Sequence, residues 1–378
     1  MKKILKYCLT FLVTIVIIIS CIIYIQDDNT PKVKGDINVF VKEDSYEYLK
    51  YYSEKFMEYN NKAHIKVKII DDYNEVVNKD KNDEYKASDI LLLNRLEFDN
   101  LNKNNDIKYK DMRKILDTYS KNFSKSRLNQ VKLEDKSIGV PLTSKPIALY
   151  IRNDMLSQYG YSSDDINTWS DFVKLGIDIY NKSNGTVHIL NATGSDYEDL
   201  VSLLIMQYLD EDRTEEQIQK QVKEKIDMFK SNNILNLDEG EKFIARISSI
   251  DAMRELKALD VKCEWTVINP PSIGLGSNRF YCEEGDNLIV LGEGQENDEL
   301  TERFVTYLIA NTKNSIDFIQ KGKFFSSFLY TYKNVKIEEQ IKNFNGKSPL
   351  VVMSNIEEKA PIIKEYSKYI NIKNKFFN

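Results

Sequence analysis

The chain has 378 residues and a formal net charge of −5 at pH 7. A single hydrophobic core stops growing below this length, so we expect two domains. With 42% hydrophobic and 29% charged residues the composition excludes an intrinsically disordered chain. Because its net charge is negative, the chain has no electrostatic attraction to nucleic acid.

The N-terminus has the strongest local signal. Three lysines within residues 1–6 precede residues 7–25, which are uncharged and rich in Ile, Leu and Val. This pattern predicts an export signal, so the rest of the chain should lie on the outer side of the membrane. Because the removed or embedded leader contains three lysines and no acid, the exported part has a net charge of −8.

Two fates of residues 1–25 stay open. Ser20-Cys21 resembles the bacterial lipoprotein box, in which the cysteine is lipidated. However, Ile22, Ile23 and Ile25 extend the apolar run to nearly the roughly 20 residues that an uncleaved spanning helix needs. Either fate tethers the protein to the outer face of the membrane.

The first third of the chain indicates an α/β fold. A polar linker (residues 26–36) leads to predicted strands at residues 37–41, 65–70 and 88–93. Asp44 and Glu47 have the spacing of a capping box at the start of a helix, and residues 111–119 predict another helix. In residues 138–156, two apolar strands are separated by Thr143, Ser144 and Lys145, between Pro141 and Pro146.

The remainder is richer in helices, and no internal repeat is evident. Thr168 is predicted to cap a helix that carries Trp169 and Phe172 on its buried face, and Asp298 a later one. The other predicted elements are strands at residues 187–190, 264–271 and 286–291, helices at 198–209 and 214–229, and a helical segment at 241–259 with a short break at Ser248 and Ser249.

The sequence offers no catalytic motif. His64 and His188, the two histidines, both lie in or beside predicted strands, where a structural role is the usual one. There is no His-Glu-x-x-His pair, no Cys-x-x-Cys and no Gly-x-Ser-x-Gly. We therefore predict no enzymatic activity, no metal and no cofactor. Cys263 and Cys282 are the cysteines outside the leader; a disulfide and two separate buried thiols are equally compatible with an oxidising exterior.

Five sequence blocks occur in the order found in the family 1 extracellular solute-binding proteins of ABC importers, the group that contains the maltose-binding protein. The blocks that resemble this family are SIGVPLTSKPIALYIRNDML, TWSDFVKLGIDI, EKFIARISSIDAM, EWTVINPP and GDNLIVL with the helix that follows it. The resemblance as a whole extends from residue 37 to about residue 344. The resemblance implies a two-lobed α/β fold of the periplasmic-binding-protein type, with a hinge and an interlobe cleft. Lobe 1 would comprise residues 37–141 and about 285–332, and lobe 2 residues 142–284 and about 333–378.

Ligands of open α/β sheets bind at the carboxyl ends of the strands, and that rule selects the candidate cleft residues. They are Asp44, Tyr46, Asn94, Arg95, Thr143, Ser144 and Lys145 from lobe 1 and the crossover, and Asp196, Tyr197, Arg246, Ser248 and Ser249 from lobe 2. Sugar binders of this family commonly place several tryptophans in the cleft, whereas this chain has two, Trp169 and Trp265, both in predicted core positions; its 23 tyrosines could stack on a ligand instead. Because cations are among the candidates, an acidic or phosphorylated solute fits as well as a neutral oligosaccharide.

The resemblance implies a monomeric, membrane-tethered, extracytoplasmic receptor that delivers a small solute, such as a carbohydrate, to ABC permease subunits. The alternative is a solute-binding-like module that no longer transports and serves in surface sensing or protein interaction.

Overall fold

The computed structural model describes residues 32–77, 89–104, 107–209, 212–238, 240, 242–260, 263–292 and 297–377. The leader, including Cys21, lies outside these residues. Among the described residues, no helix combines the length and the apolar character needed to cross a membrane.

The strands form two five-stranded sheets and one short hairpin. In chain order they are β1 (Lys34–Val41), β2 (Lys62–Ile69), β3 (Ile90–Leu93), β4 (Lys132–Leu133), β5 (Lys136–Ser137), β6 (Gly139–Pro141), β7 (Ala148–Arg152), β8 (Val187–Asn191), β9 (Leu235–Asn236), β10 (Lys242–Ser248), β11 (Trp265–Ile268) and β12 (Asn287–Val290).

Helices pack around both sheets, as expected for an α/β fold. They are α1 (Glu43–Tyr59), α2 (Asn74–Val77), α3 (Arg95–Asn104), α4 (Arg113–Tyr119), α5 (Lys125–Gln130), α6 (Asn153–Leu156), α7 (Trp169–Lys182), α8 (Gly194–Tyr208), α9 (Glu215–Ser231), α10 (Ile250–Ala258), α11 (Asp298–Ala310), α12 (Thr312–Gln320), α13 (Pro349–Lys359) and α14 (Tyr366–Phe377).

The first sheet has the strand order β2-β1-β3-β12-β6. β1 is parallel to β2 and β3, whereas β12 runs antiparallel between β3 and β6. All four residues of β3 and of β12 are buried, which explains their uninterrupted apolar sequences: each strand is covered on both faces.

The second sheet has the order β11-β7-β10-β8-β9. Its central strand, β10, is parallel to β8 and antiparallel to β7. The prediction of a helical segment over residues 241–259 was therefore wrong in its first half, because residues 242–248 form this strand and only Ile250–Ala258 is helical. The short apolar segment Phe-Ile-Ala-Arg-Ile is compatible with a helix or a strand, and it forms a strand because it lies buried between β7 and β8.

Helix starts agree with the sequence only in part. Thr168 caps α7 in a full capping box with Asp171, as predicted. The predicted cap at Asp44 is wrong: α1 begins at Glu43 after Lys42, and Asp44 lies in its first turn, where a carboxylate favours the positive end of the helix dipole. The predicted cap at Asp298 is also wrong: α11 begins at Asp298 itself, and the residue before it, Asn297, has a left-handed backbone conformation.

Most of the buried hydrophobic side chains belong to one of two clusters. One contains the β1 and β12 residues together with α1 and α11, and it extends through α13 to one face of β7 and β11. The other covers the opposite side of the second sheet with α7 and α8. Trp169 is fully buried in this second cluster, where its indole N–H donates to Gln207 Oε1 at 2.7 Å.

Two connections carry the chain between the sheets, and they lie side by side. Residues 142–147 lead from β6 to β7, and residues 282–286 lead back to β12. Leu142 N donates to Asp286 O at 2.9 Å, and Glu283 N donates to Lys145 O at 3.0 Å. A third segment joins them, since Ser144 N donates to Phe325 O at 2.8 Å. We call these three segments, residues 142–147, 282–286 and 325–328, the junction.

Cys263 and Cys282 are buried thiols that are not joined by a disulfide. Cys282 lies in the junction, where burial and the neighbouring Glu357 raise the pKa of its thiol. A thiol that resists ionisation is a poor nucleophile, so Cys282 is a packing residue here.

The junction leaves no room for a side chain at Gly285. An added Cβ would lie 2.0 Å from Thr143 O and 2.7 Å from Ser144 Cα, both of them backbone atoms. We expect Gly285→Ala to lower the melting temperature clearly, since such overlap typically costs about 1–3 kcal/mol.

Gly274→Ala is the matched control, because the nearest atom to its Cβ is Ser277 Oγ at 3.8 Å. Thermal unfolding followed by circular dichroism gives the melting temperatures of both variants. Equal melting temperatures would contradict the close approach of the two connections.

Candidate ligand cleft at the junction

Both sheets present strand ends to the junction. In the first sheet, Asn287 pairs with Leu93 and Phe40 pairs with Leu91, so the ends of β1 and β3 and the start of β12 share one edge. In the second sheet, β8, β9 and β10 are parallel and also end at one edge, with Asn191, Asn236 and Ser248. The candidate residues that follow these strands are therefore placed at two facing edges.

Thr143 and Ser144 are part of the junction itself. Thr143 Oγ1 donates to Asp286 Oδ2 at 3.1 Å and accepts from Asp286 N at 2.8 Å. Ser144 Oγ is 2.8 Å from Ser327 Oγ, which donates to Thr143 O at 2.6 Å. These hydroxyls tie the three segments together, a role that the sequence could not reveal because Asp286 and Ser327 are remote in the chain.

Lys145 is neutralised by two buried carboxylates. Its Nζ is 2.9 Å from Asp199 Oδ1 and 3.0 Å from Glu283 Oε2, while the lysine side chain is 37% exposed. Burial alone would lower the pKa of Lys145, but Glu283 and Asp199 outweigh burial and raise this pKa above its ordinary value. The lysine therefore stays charged, with both carboxylates as its partners.

Glu283 is the acceptor of a second group of donors. Tyr369 Oη donates to it at 2.6 Å and Ser202 Oγ at 3.0 Å, and Lys373 forms an ion pair with it. Burial would raise the pKa of Glu283, but Lys145 and Lys373 outweigh burial and lower this pKa to about 2. Sequence reasoning missed this residue, because Tyr369 and Lys373 come from α14, near the end of the chain.

Asp196 and Arg246 bind each other across the second sheet. Arg246 donates to Asp196 Oδ1 through Nε at 3.1 Å and through a terminal nitrogen at 2.7 Å, and it also pairs with Glu255 at 2.8 Å. Asn191 donates to the other Asp196 oxygen at 2.6 Å. Burial raises the pKa of Asp196, and Arg246 opposes that shift. The guanidinium is thus occupied by carboxylates.

Ser248 and Ser249 are buried at the end of β10. Ser248 Oγ donates to Asp199 at 3.1 Å, which links β10 to the Lys145 cluster. Ser249 Oγ donates to Asp251 at 3.3 Å, and its carbonyl accepts from Tyr150 at 2.6 Å.

Asn94 and Arg95 have structural partners at the end of β3. Asn94 caps α3: its Oδ1 accepts from Glu97 N at 2.9 Å. Arg95 donates to Gln130 O at 2.9 Å and pairs with Asp99 at 3.0 Å. It also lines a cavity of about 180 Å³ that Tyr366 closes on the other side.

Tyr46 and Tyr197 complete the set of predicted contacts. Tyr46 is half-buried on α1, with Lys50 Nζ 5.7 Å from its ring centre. Tyr197 lies in a groove between α9 and α14, and its ring centre is 6.2 Å from that of Phe377. The structure therefore does not bring Tyr197 to the junction, although the adjacent Asp196 lies beside Arg246.

Asp286, Tyr48 and Tyr73 are further polar side chains near the first edge that sequence reasoning missed. Burial and the Asp44 charge raise the pKa of Asp286, and burial followed by the charges of Asp286 and Asp44 raises that of both tyrosines. These four side chains therefore lie close enough to influence one another. Asp286 could have been found from its place just before a buried strand.

Not every cavity belongs to this cleft. A cavity of about 920 Å³ lies on the outside of the first sheet, among α1, α4 and α11, and its lining includes Phe56, Tyr119 and Tyr307. At the junction side, by contrast, Leu96 of α3 packs against the hydrophobic cluster of the second sheet. The two halves therefore touch across the cleft.

Solved structures of binding proteins share this architecture. The sugar-binding protein MalE from Xanthomonas citri has a TM-score of 0.70 at 14% identity, covering 90% of this chain and 91% of its own. The GacH receptor of Streptomyces glaucescens, solved without ligand and with acarbose, has a TM-score of 0.61 at 15% identity, covering 91% and 98%. A family 1 extracellular solute-binding protein from Alicyclobacillus acidocaldarius has a TM-score of 0.61 at 11% identity, covering 92% and 93%.

The chain therefore has the two-lobed α/β fold of the MalE-like family 1 extracellular solute-binding proteins, as the sequence predicts. At these identities the likeness establishes the fold. No protein-family model and no curated protein matches the sequence.

The lowered pKa of Glu283 makes a pH-dependent contribution to stability. Its pKa is about 2 in the folded protein against 4.5 ordinarily, so the stabilisation is complete above about pH 4.5 and is lost as the pH falls toward 2. We expect Glu283→Gln to be less stable than the natural protein at neutral pH, by about 3 kcal/mol for a broken buried pair. The difference should shrink below pH 4.5.

Urea unfolding at a series of pH values measures both free energies. Glu358→Gln, which alters an exposed glutamate of α13, is the control and should follow the natural protein throughout. A gap between Glu283→Gln and the natural protein that does not depend on pH would contradict this ion-pair assignment.

Proposed function

We propose that this protein is an extracytoplasmic receptor that binds a carbohydrate or a related hydroxyl-rich solute in the cleft at the junction and delivers it to an ABC importer. Ligand that contacts both lobes favours the closed state by its differential affinity for that state. The permease subunits would then bind the closed, ligand-loaded form. In this proposal the lobes have the boundaries predicted from the sequence, and the receptor acts as a monomer.

The junction is the observation that carries the proposal. Polar side chains converge where the chain passes between the sheets: Thr143 and Asp286 belong to the two connections, Asp199 to α8 and Ser248 to the end of β10. Hydroxyl-rich solutes are bound through such fixed donors and acceptors. The neighbours with this fold include a sugar-binding protein and a receptor that binds acarbose.

Charge pairing narrows the class of solute. Lys145 and Arg246, the cations nearest the proposed cleft floor in lobe 2, are each held by two carboxylates. An anionic solute would have to compete with these partners. This arrangement favours an uncharged or cationic hydroxyl-rich compound over the acidic or phosphorylated solute that the sequence left open.

Ligand binding should stabilise the folded protein by mass action. At a ligand concentration of 100 times Kd the gain is about 2.7 kcal/mol, which raises the melting temperature measurably. We expect a thermal shift with at least one member of a panel of neutral and amino oligosaccharides.

Asp44→Ala should reduce that shift strongly, whereas Asp117→Ala, on the exposed side of α4, should leave it intact. If no sugar in the panel shifts the melting temperature, the carbohydrate-receptor proposal fails.

The transport-inactive module remains the second candidate, and one observation favours it. Trp169 and Trp265 are only 0% and 2% exposed, so neither offers an indole face to a sugar in the cleft. Tyr48 and Tyr73, at 3% and 5% exposed, offer no ring face either, which leaves the half-buried Tyr46 as the aromatic candidate for stacking. Complete absence of binding to sugars, peptides and polyamines would favour this second function.

The membrane tether is proposed from residues 1–25. Either Cys21 is lipidated after cleavage or the apolar run is retained as an anchor. Mass spectrometry of the N-terminus of the protein isolated from membranes distinguishes them: a diacylated Cys21 indicates a lipoprotein, and an intact residue 1 or 2 indicates an anchor. An unlipidated N-terminus beyond residue 25 would contradict both forms of the tether.

A further inference from the structure

Two carboxylates at the edge of the first sheet form no salt bridge with a lysine or arginine among the described residues. Asp44 is exposed in the first turn of α1, three residues after the end of β1, and Asp286 directly precedes β12. β3 lies between β1 and β12, so the two backbones are about 10 Å apart at this edge. A small cationic group between them would reach both side chains.

The neighbouring cations are already occupied. Lys42 forms an ion pair with Glu97, and Lys145 pairs with Asp199 and Glu283. Arg127 is fully buried, and it donates to Asp286 O at 3.1 Å and to Asn287 Oδ1 at 2.9 Å rather than to the Asp286 carboxylate.

Asp286 itself shows the effect of this arrangement. Burial raises its pKa, and the charge of Asp44 adds to that rise. The hydrogen bond from Thr143 and the charges of Arg127 and Lys42 lower the pKa but do not offset burial. A bound positive charge would offset both unfavourable terms.

The unpaired hydroxyl of Tyr48 is an independent indication that a group of the ligand binds here. The residue is 3% exposed, and its hydroxyl has no hydrogen-bond partner among the described residues. Ser45 lies close to it, but the Ser45 hydroxyl donates to Asp44 at 3.3 Å. The Tyr48 ring is held by stacking on Phe324, with ring centres 4.7 Å apart. A buried hydroxyl without a partner is uncommon, because leaving it unpaired costs about 1–3 kcal/mol.

We propose that Asp44, Asp286 and the Tyr48 hydroxyl form a subsite for a protonated amino group on the bound solute. A primary ammonium group has three N–H donors, and these three side chains supply matching acceptors. The inference rests on the proposed function and narrows it: the solute would be a hydroxyl-rich compound that carries an amine, of which amino sugars are the nearest chemical class.

The test compares two sugars that differ only at nitrogen. The β-1,4-linked tetrasaccharide of glucosamine carries protonated amines at mildly acidic pH, whereas its fully N-acetylated form has none. By isothermal titration calorimetry of the exported part of the chain, we expect the amine form to bind at least about tenfold more tightly, a difference of 1.4 kcal/mol. Added salt should reduce this preference, because the Asp44 side of the subsite is exposed.

Asp44→Asn and Asp286→Asn should each abolish the preference for the amine form while leaving a normal circular dichroism spectrum. Asp117→Asn, which removes the same charge from exposed α4, should retain it. Because Asp286 is part of the junction and its variant could be poorly folded, Asp44→Asn alone decides the outcome for the subsite.

The remaining outcomes separate this inference from the function on which it rests. If the N-acetylated sugar binds as well as the amine, the subsite is overturned and the carbohydrate receptor stands. If spermidine binds in an Asp44-dependent manner and neither sugar does, the amine subsite is supported and the carbohydrate proposal fails. If none of the three binds, both are overturned.

Discussion

The structure depends on one constraint: residues 142–147 and 282–286, the two passages between β6 and β7 and back to β12, must lie against each other. Thr143 and Asp286 exchange hydrogen bonds in both directions, so each passage satisfies polar groups of the other. A buried backbone without such partners would be costly, and a third segment at Ser327 supplies the remaining donors. The close contact explains why position 285 is glycine.

The same constraint brings charges into the interior. Glu283 is buried because it lies in the returning passage, and a buried carboxylate is tolerated only when it is paired and hydrogen-bonded. Lys145 comes from the first passage, and Lys373 and Tyr369 come from α14. The C-terminal helix α14 is thereby fixed to the junction, in addition to its packing on α8 and α9.

Sequence patterns predicted the parts of the fold whose cause is local. The Thr168 capping box depends on residues three positions apart, and β3 is apolar because both of its faces are covered. The break at Thr143, Ser144 and Lys145 also predicted the passage between sheets. In contrast, β10 was assigned to a helix because a short apolar segment fits both periods, and only its neighbours β7 and β8 select the strand.

The charge pairs of the candidate site could not be predicted from the sequence. The rule that ligands bind at the carboxyl ends of strands selected Lys145 and Arg246 as candidate contacts, yet their carboxylate partners Asp199 and Asp196 lie about 50 residues away in sequence. Sequence spacing contains no information about such pairs. Conversely, Asp286 was predicted only as the first residue of a strand, and the fold places it outside that strand, where it interacts with Asp44 and Tyr48.

Closure of the lobes connects this charge arrangement with selectivity. When a cleft closes, water leaves its walls, and carboxylates that lack a counter-charge become more costly to keep ionised. Lys145 already compensates Asp199 and Glu283, so closure would change the energy of these groups little. Asp44 and Asp286 form no salt bridge within the described chain, and the charges of Arg127 and Lys42 offset the burial of Asp286 only in part. Their repulsion would therefore oppose closure of the empty cleft, and a ligand that brings a positive charge would remove the opposition. In the proposed receptor, the same two residues would determine both which solute is bound and whether the lobes close around it.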